Sequence, residues 1–416
     1  MANEERHILC IDLKSFFASC ECVARNLDPF TTPLVVASNN KGAITLAVTP
    51  ALKKYGIKGR TRIYDIPKNI KYIRVPPRMS LYIKKSEEVV SIYLDYISKE
   101  DLHIYSIDEC FLDVTHYLKL YNKTDYELAE DILNTIYQKT HLTATCGIGP
   151  NLLLAKVAMD TEAKKYKNGI AKWTMNDVKT KLWNIYPLSK MWGIGKRMEY
   201  NLNKLGIYSV GDLANYNKYI LKDKFGIIGE ELWNHANGID LSVISDYKLP
   251  PKSKSISHSQ ILYKDYNKDN IKIIISEMID VLTFSLRNKH KLTRLIGFGI
   301  GYSKEETGGF YHSIKLEIGT DSKELIYKYA LMIFDKYYEE NMPIRKVSVV
   351  LGNLEKKESR QLSFFDETNL EKKENINNAI DDVKKKYGKN SILNASSLLK
   401  DSTIIERNKK IGGHSA

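Results

Sequence analysis

Two acidic residues, Asp108 and Glu109, stand together in HIYSIDECFLDV (residues 103–114), between two β-type runs, His103–Ile107 and Cys110–Val114. Adjacent like charges repel, and partial burial makes each costlier to keep ionised. An exposed hairpin tip would simply solvate them. Asp-Glu, however, is not a favoured two-residue hairpin turn, which wants Asn-Gly or Asp-Gly. A third acid, Asp12, ends the first strand-like run, HILCID. Three carboxylates meeting at one sheet edge need cations, and hard divalent ions, Mg2+ above all, suit oxygen ligands shared with substrate phosphates. Two such ions about 3.5–4 Å apart clamp the attacking and leaving oxygens of an in-line phosphoryl displacement.

Phosphate chemistry also needs cations from the chain. TPALKKYG offers Lys53 and Lys54, and GIGPNLLLAKVAMD reads as a strand, a Gly-Pro turn and a helix carrying Lys156. Lysine acts as a point charge toward a triphosphate, although each of these alone reads as a solvated helix face. No Walker A loop is present, which disfavours a P-loop NTPase. In MWGIGKRMEYNLNKLGI, Gly193 and Gly195 flank Ile194, with Trp192 before and Lys196 and Arg197 after. Such a turn can aim backbone N–H groups at a nucleic-acid phosphate without reading bases; the plain alternative is an ordinary helix–helix turn. FGIIGEELW reads as a degenerate second copy.

The elements that must position these residues belong to a chain of 416 residues with 43% hydrophobic and 27% charged content and a net charge of +13. That length predicts several domains, and the basic surplus predicts a polyanionic partner. No apolar run is long enough to span a bilayer, and MANEERHILC puts acids where a signal peptide needs bases. Cys10, Cys20, Cys22, Cys110 and Cys146 form no C-x-x-C pair, which reads as reduced thiols of a cytoplasmic protein.

RHILCIDL reads as a strand entering a helix at KSFFASCECVARN; residues 26–79 are an insertion; residues 80–99 have helical spacing. The acidic hairpin, the helix DYELAEDILNTIYQKTH and the strand LTATCGIG complete a split βαβ, ferredoxin-like order. Residues 175–240 read as all-helical, and SDYKLPPKSKS as a linker. A second ferredoxin-like unit follows: strand 255–263, helix 271–290, strands 292–303 and 309–318, helix 322–338 and strand 344–352. Its bases, Lys252, Lys254, His258, Arg294, Lys304, His312, Lys315, Arg345 and Lys346, suit phosphate contacts along a duplex or a solvated sheet face. From 353 the chain reads as a charged tether, with helices predicted at ENINNAIDDVKKKYG and SILNASSLL. In QLSFF, which begins at Gln361, Leu362, Phe364 and Phe365 are apolar groups with no core of their own, suited to a partner's pocket or to packing back on the body.

Taken together, IDLKSFFASCE, YSIDECFLDVT, TCGIGPNLLLAKVA and WGIGKRMEYNLNKLGI resemble the Y-family DNA polymerases that copy damaged templates, and LVVASNNKGAI is close to the UmuC-like branch. The resemblance covers about residues 6–352 and implies an α+β right hand. Its parts are a palm (1–25 and 80–174), fingers (26–79), a thumb with a helix-hairpin-helix (175–242), a linker (243–252), a little finger (253–352) and a tether and tail (353–416). It implies that Asp12, Asp108 and Glu109 hold two Mg2+ ions, with the Leu13 carbonyl as a backbone ligand. Phe17 falls on the steric gate against a ribose 2′-OH. Phe16, Thr49, Lys53 and Lys156 fall on nucleotide-contacting positions, and Gly42 and Ala43 on the roof over the templating pair. Gly193, Gly195, Lys196, Arg197, Lys254 and Ser255 would contact the DNA backbone. Where many relatives have a triphosphate-contacting tyrosine, this chain has Pro50, or Thr49 after a shift of one.

The implied partners are primer-template DNA, dNTPs and, through QLSFF, the bacterial sliding clamp (its beta subunit). Damage-response accessory proteins such as a RecA filament or a UmuD-like subunit are implied as well, in the cytoplasm at the nucleoid. The expected activity is error-prone translesion synthesis during DNA repair and the SOS response. A nucleotidyl cyclase shares the acidic palm hairpin but leaves the helical segment, the second unit and QLSFF without a purpose. The alternative of another class is a catalytically weak DNA- and clamp-binding scaffold, against which all three carboxylates stand.

Overall fold

A computed structural model describes residues 5–40, 42–248, 254–303, 308–357 and 370–415. Residues 1–250 and 251–413 form two compact units. Among the described residues no helix is long and apolar enough to cross a membrane.

The first unit is built on strand β1 (Ile8–Leu13) and helix α1 (Phe16–Val23). An insertion follows, with strand β2 (Leu34–Val36), strand β3 (Ala47–Val48), helix α2 (Pro50–Lys53) and strand β4 (Ile73–Val75). These strands pair in the order β3-β2-β4 over a small core of Val35, Val48, Leu52, Ile57 and Ile66. Helix α3 (Met79–Leu94), strand β5 (Leu102–Ile104), strand β6 (Glu109–Asp113), helix α4 (Tyr117–Tyr121), helix α5 (Asp125–Thr140), strand β7 (Ala144–Gly149), helix α6 (Leu152–Thr161) and strand β8 (Ile170–Lys172) complete the main layer. The sheet order is β5-β6-β1-β7-β8. The strand–helix–strand–strand–helix–strand order is therefore the predicted ferredoxin-like one, with β8 added beside β7.

Local chemistry explains the elements. β1 is apolar on both faces because helices cover both sides of the sheet, so its residues read as a continuous run rather than an alternation. Helix α5 starts at a capping box, in which Thr124 accepts from the Glu127 N–H and Glu127 reaches back to the Thr124 N–H; such a cap contributes about 1 kcal/mol. Gly147 and Gly149 of β7 are required by close approach: a Cβ at Gly147 would stand 2.0 Å from the Ala155 carbonyl oxygen and one at Gly149 2.5 Å from the Ala155 nitrogen. Helix α6 thus lies directly on the backbone of β7.

The remainder of the first unit is helical, as the sequence predicts: α7 (Lys196–Asn203), α8 (Val210–Asn215), α9 (Lys218–Phe225) and α10 (Ile227–Ala236). Gly226, with φ 64°, turns α9 into α10, at the second glycine-rich stretch.

The second unit is a four-stranded sheet in the order β11-β10-β12-β9. Its strands and helices are β9 (Ile256–Tyr266), α11 (Ile271–Asn288), β10 (Lys291–Tyr302), β11 (Gly309–Thr320), α12 (Lys323–Tyr337) and β12 (Ile344–Lys356). The two helices cover one face around Phe298 and Phe334. Beyond it the helix expected at ENINNAIDDVKKKYG is present, while residues 358–369 of the expected tether lie outside the described residues. β12 runs to Lys356, and helices α13 (Leu370–Tyr387) and α14 (Ile404–Asn408) follow. Ion pairs help anchor this segment: Arg287 grips Asp381 with two hydrogen bonds of 2.6 and 2.9 Å, both side chains nearly buried, and Lys384 meets Asp280 at 2.8 Å. Composition reads such a stretch as solvated because it cannot show that its charges find partners. QLSFF, with Gln361, Leu362, Phe364 and Phe365, lies outside the described residues, as do Lys252 and Lys304.

Candidate active site

β1 lies between β6 and β7, and the register sets Asp12 opposite both Glu109 and Thr145. The Leu13 N–H donates to the Asp108 carbonyl at 2.9 Å, tying the acidic loop to the end of β1. Backbone pairing thus brings Asp12, Asp108 and Glu109 to one end of the sheet. The hairpin differs from its expected form. The first strand stops at Ile104, the Tyr105 and Ser106 N–H groups both bond the Glu109 carbonyl, and Asp108 sits in the connection while Glu109 begins β6. A four-residue connection resolves the conflict that an Asp-Glu two-residue turn would pose.

The three carboxylates face different partners. Glu109, 7% exposed, accepts from Lys156 Nζ at 2.8 Å and from the Cys10 thiol at 3.3 Å. Asp12 faces Lys164 Nζ at 3.5 Å. Asp108 accepts from Ser106 Oγ at 2.7 Å. Asp160 bonds both lysines, Lys156 at 3.0 Å and Lys164 at 2.8 Å. The Asp12 carboxyl is pushed up to about 6, chiefly by burial and further by Asp108 and Glu109, against the opposing pull of Lys164. Lys156 is held charged, its partners outweighing its burial. The Lys53 ammonium is pulled down by desolvation, while Asp12 acts on it in the opposite sense.

This donor set fits a hard divalent cation in kind: three carboxylate groups and the Leu13 carbonyl region, with one carboxyl destabilised by the negative charge around it. As the side chains stand, no group of three His, Cys, Asp or Glu among the described residues is gathered closely enough to hold a metal ion. The lysines neutralise the acids instead, so the fit requires Glu109 and Asp12 to exchange ammonium partners for a cation.

Beside the acids, Ser15 takes a left-handed conformation, φ 50° and ψ 42°, just before α1, and Ser19 Oγ bonds the Lys14 carbonyl at 2.7 Å. A non-glycine residue there is strained. The turn sends Phe16 into the core and leaves Phe17 half-buried, its ring stacked on Tyr82 at 4.6 Å.

Three comparisons bear on this geometry. The model of the impB/mucB/samB family matches residues 11–160, its C-terminal domain matches 253–364, and the HHH motif of the family matches 176–207. UvrX of Bacillus subtilis (strain 168), named for UV-damage repair, is 41% identical over 98% of this chain and 97% of its own. This chain belongs to the Y-family DNA polymerases of impB/mucB/samB type. Another relative in the same organism, DNA polymerase IV 2, is 33% identical over 99% of both chains, and DNA polymerase IV of Clostridium acetobutylicum is 33% identical over 95% of this chain and 98% of its own. A solved Y-family DNA polymerase chimera shares the fold, with a TM-score of 0.66 at 23% identity over 84% of this chain and 99% of that one.

Within this Y-family chain, the other expected site residues fall as follows. Thr49 does not present its hydroxyl to a nucleotide: it is fully buried, accepting from the Leu34 N–H at 3.0 Å and donating to the Thr32 carbonyl at 2.8 Å. Phe16 is likewise a core side chain, 3% exposed. Gly42 is exposed and Ala43 is 8% exposed, and a Cβ on Gly42 would meet nothing within 4 Å. Gly193, with φ 90°, and Gly195, which caps α7, are exposed, as are Lys196 and Arg197; Lys196 pairs with Glu199 at 3.0 Å. Lys254 and Ser255 are exposed just ahead of β9. Several bases of the second unit have partners already: Arg294 bonds Glu355, Arg345 bonds Asp265, His258 meets Arg407, and His312 stacks on Tyr337.

The sequence reading missed Asp160 and Lys164, although Lys156, Asp160 and Lys164 follow one another at i,i+4, the spacing of an ion-pair ladder on a helix. It also missed Glu21. This side chain is 0% exposed and accepts from Arg78 at 2.8 and 2.9 Å, from Tyr82 Oη at 2.8 Å and from Arg25. An acid inside an apolar helix such as FFASCECV was the available signal, since a buried charge needs partners.

Proposed function

We propose that this chain catalyses template-directed DNA synthesis past damaged bases, joining a dNTP to a primer 3′-OH. The observation that carries the reading is the register that places Asp12 against Glu109 with Asp108 adjoining, beside Lys53, Lys156 and Lys164. Asp12, Asp108, Glu109 and the Leu13 carbonyl would hold two Mg2+ ions, which when bound stabilise charge on the reacting phosphoryl oxygens. The chain's own groups do the rest. Lys53, Lys156 and Lys164 neutralise triphosphate charge as point cations. Phe17, braced by Tyr82, closes the space that a 2′-OH would need. The Gly193–Arg197 turn offers N–H groups and cations to a backbone phosphate.

The finer reading adds error-prone synthesis in the SOS response, at the nucleoid in the cytoplasm, with the sliding clamp recruited through Gln361, Leu362, Phe364 and Phe365. A RecA filament or a UmuD-like subunit would be a further partner. Primer extension on intact and abasic templates with Mg2+ tests the central claim. Wild type should extend both and Asp108→Ala neither; equal extension by the two proteins would remove these acids from the chemistry.

A further inference from the structure

The second unit holds a cavity of about 440 Å³ on the edge strand β9. Its walls come from both faces of that strand, with His258 and Gln260 on one side and Ile261 and Tyr263 on the other, and from the C-terminal segment. The segment covers the strand edge through short contacts: Gln260 donates to Thr403 at 3.0 Å, Tyr266 Oη donates to the Asp401 carbonyl at 2.8 Å, and Lys264 pairs with Asp401. This part of the chain lies beyond the residues matched by the three family models.

The charge in the cavity is unbalanced. Lys389, Arg407 and Lys410 line it against one acid, Glu277. The Glu277 carboxylate is occupied by Ser402 Oγ at 2.6 Å and by the Thr403 N–H at 3.2 Å. Arg407 meets His258 Nε2 through one terminal nitrogen, while its other, Nη1, is buried without a partner. That nitrogen belongs to a permanent cation, and leaving a buried donor unsatisfied is costly. His258 cannot balance it with charge, since burial and Arg407 push the imidazole down to about 4. Gly412 and Gly413, both at positive φ (58° and 84°), form part of the wall, and a Cβ on either would meet nothing within 4 Å. Positive φ at two consecutive residues is what a two-residue hairpin turn needs, and Gly412 and Gly413 form such a turn at the rim of the hollow.

A guanidinium with one unsatisfied nitrogen and two ammonium groups around one hollow match the fork-and-point-charge recognition of a phosphate. We propose that this cavity binds a backbone phosphate of the DNA, so that the C-terminal segment widens the nucleic-acid surface of the second unit past the edge of β9. Continuity supports DNA over a free anion. Lys410 bonds the hydroxyl of Tyr263 and lies 4.9 Å over its ring. Tyr263 and its neighbour Ile261 are 65% and 75% exposed, on the sheet face away from the helices. Across that face run Ser259, Ser348, Gly299 and Tyr311 in register. The inference rests on the polymerase reading for the presence of DNA.

The test uses the full chain with a labelled primer-template duplex, following anisotropy at several salt concentrations, beside thermal melts with inorganic phosphate. Arg407→Gln and Lys410→Gln should each weaken binding several-fold and lower the slope of log affinity against log salt by about one. Lys410→Gln, at the rim, keeps the test valid should Arg407→Gln loosen the segment. Unchanged affinity and slope in both variants, with wild type still binding duplex, overturns the site and spares the polymerase reading. If phosphate raises the melting point of wild type but not of Arg407→Gln while duplex binding is untouched, the hollow takes a free phosphate and the DNA assignment fails. Absence of duplex binding by wild type overturns the polymerase reading itself, and this proposal with it.

Discussion

Tyr82 stacks on Phe17 at 4.6 Å while its hydroxyl donates to Glu21 at 2.8 Å. Glu21 is in turn held by Arg78 and Arg25, so one buried carboxylate links α1 to α3 and sets the ring on which Phe17 rests. The Glu21 carboxyl stays below its ordinary range because these hydrogen bonds outweigh its burial. Phe17→Ala should admit ribonucleotides; unchanged sugar discrimination in single-nucleotide incorporation would sink the gate. Tyr82→Phe keeps the ring and removes one bond to a buried acid, at an expected cost of about 1–3 kcal/mol in chemical denaturation.

Lys156 is the ammonium partner of Glu109 inside the fold, at 2.8 Å. Lys156→Met leaves that acid without its main cation, and loss of one member of a buried pair costs about 3–5 kcal/mol. The double variant Lys156→Met with Glu109→Gln should recover part of this loss in urea melts. No recovery would show that the damage is to packing rather than charge.

Asp12 makes the metal-free protein respond to pH. Its folded-state carboxyl titrates near 6 against an ordinary value of 3.8. Between those values the folded state holds a proton that the unfolded state has lost, so stability falls as pH rises through this window, by up to about 3 kcal/mol. Measured in a chelator between pH 4 and about 6.5, Asp12→Asn should lack this fall. A divalent cation should flatten it in wild type by favouring the ionised form. Parallel curves for wild type and variant would remove Asp12 as the source.

Gly147→Ala would set a Cβ 2.0 Å from the Ala155 carbonyl. Helix α6 must then shift off β7, carrying Lys156 and Asp160 away from Glu109. We expect a loss of several kcal/mol, as for other overpacked sites, at the upper end of about 1–3 or beyond. Gly42→Ala, where the added methyl meets nothing, should leave the melting temperature unchanged.

Asp381→Ala strands Arg287 at the anchor of α13. Limited proteolysis should then cut within 370–387 much faster than in wild type, with the sheet of the second unit retained by far-UV circular dichroism. Equal cleavage rates would mean that the segment is held by other contacts.

How much of this was written in the chain follows from the range of each interaction. The ferredoxin-like order was legible because hydrophobic spacing and turn residues act over a few positions, and the acid Asp12 near the end of β1, which runs one residue further to Leu13, was visible in the same way. The motif residues Asp12, Asp108 and Glu109 announced themselves by type. Their partners did not. That Lys156 and Lys164 hold the acids, that Thr49 points inward, that Glu21 braces Tyr82 beneath Phe17, and that a charged tail packs onto α11 through Arg287 and Asp381 all depend on residues far apart along the chain. A charge read in sequence is equally a solvated side chain or half of a buried pair. Only the packed elements, by removing water and setting distances of a few ångströms, decide which.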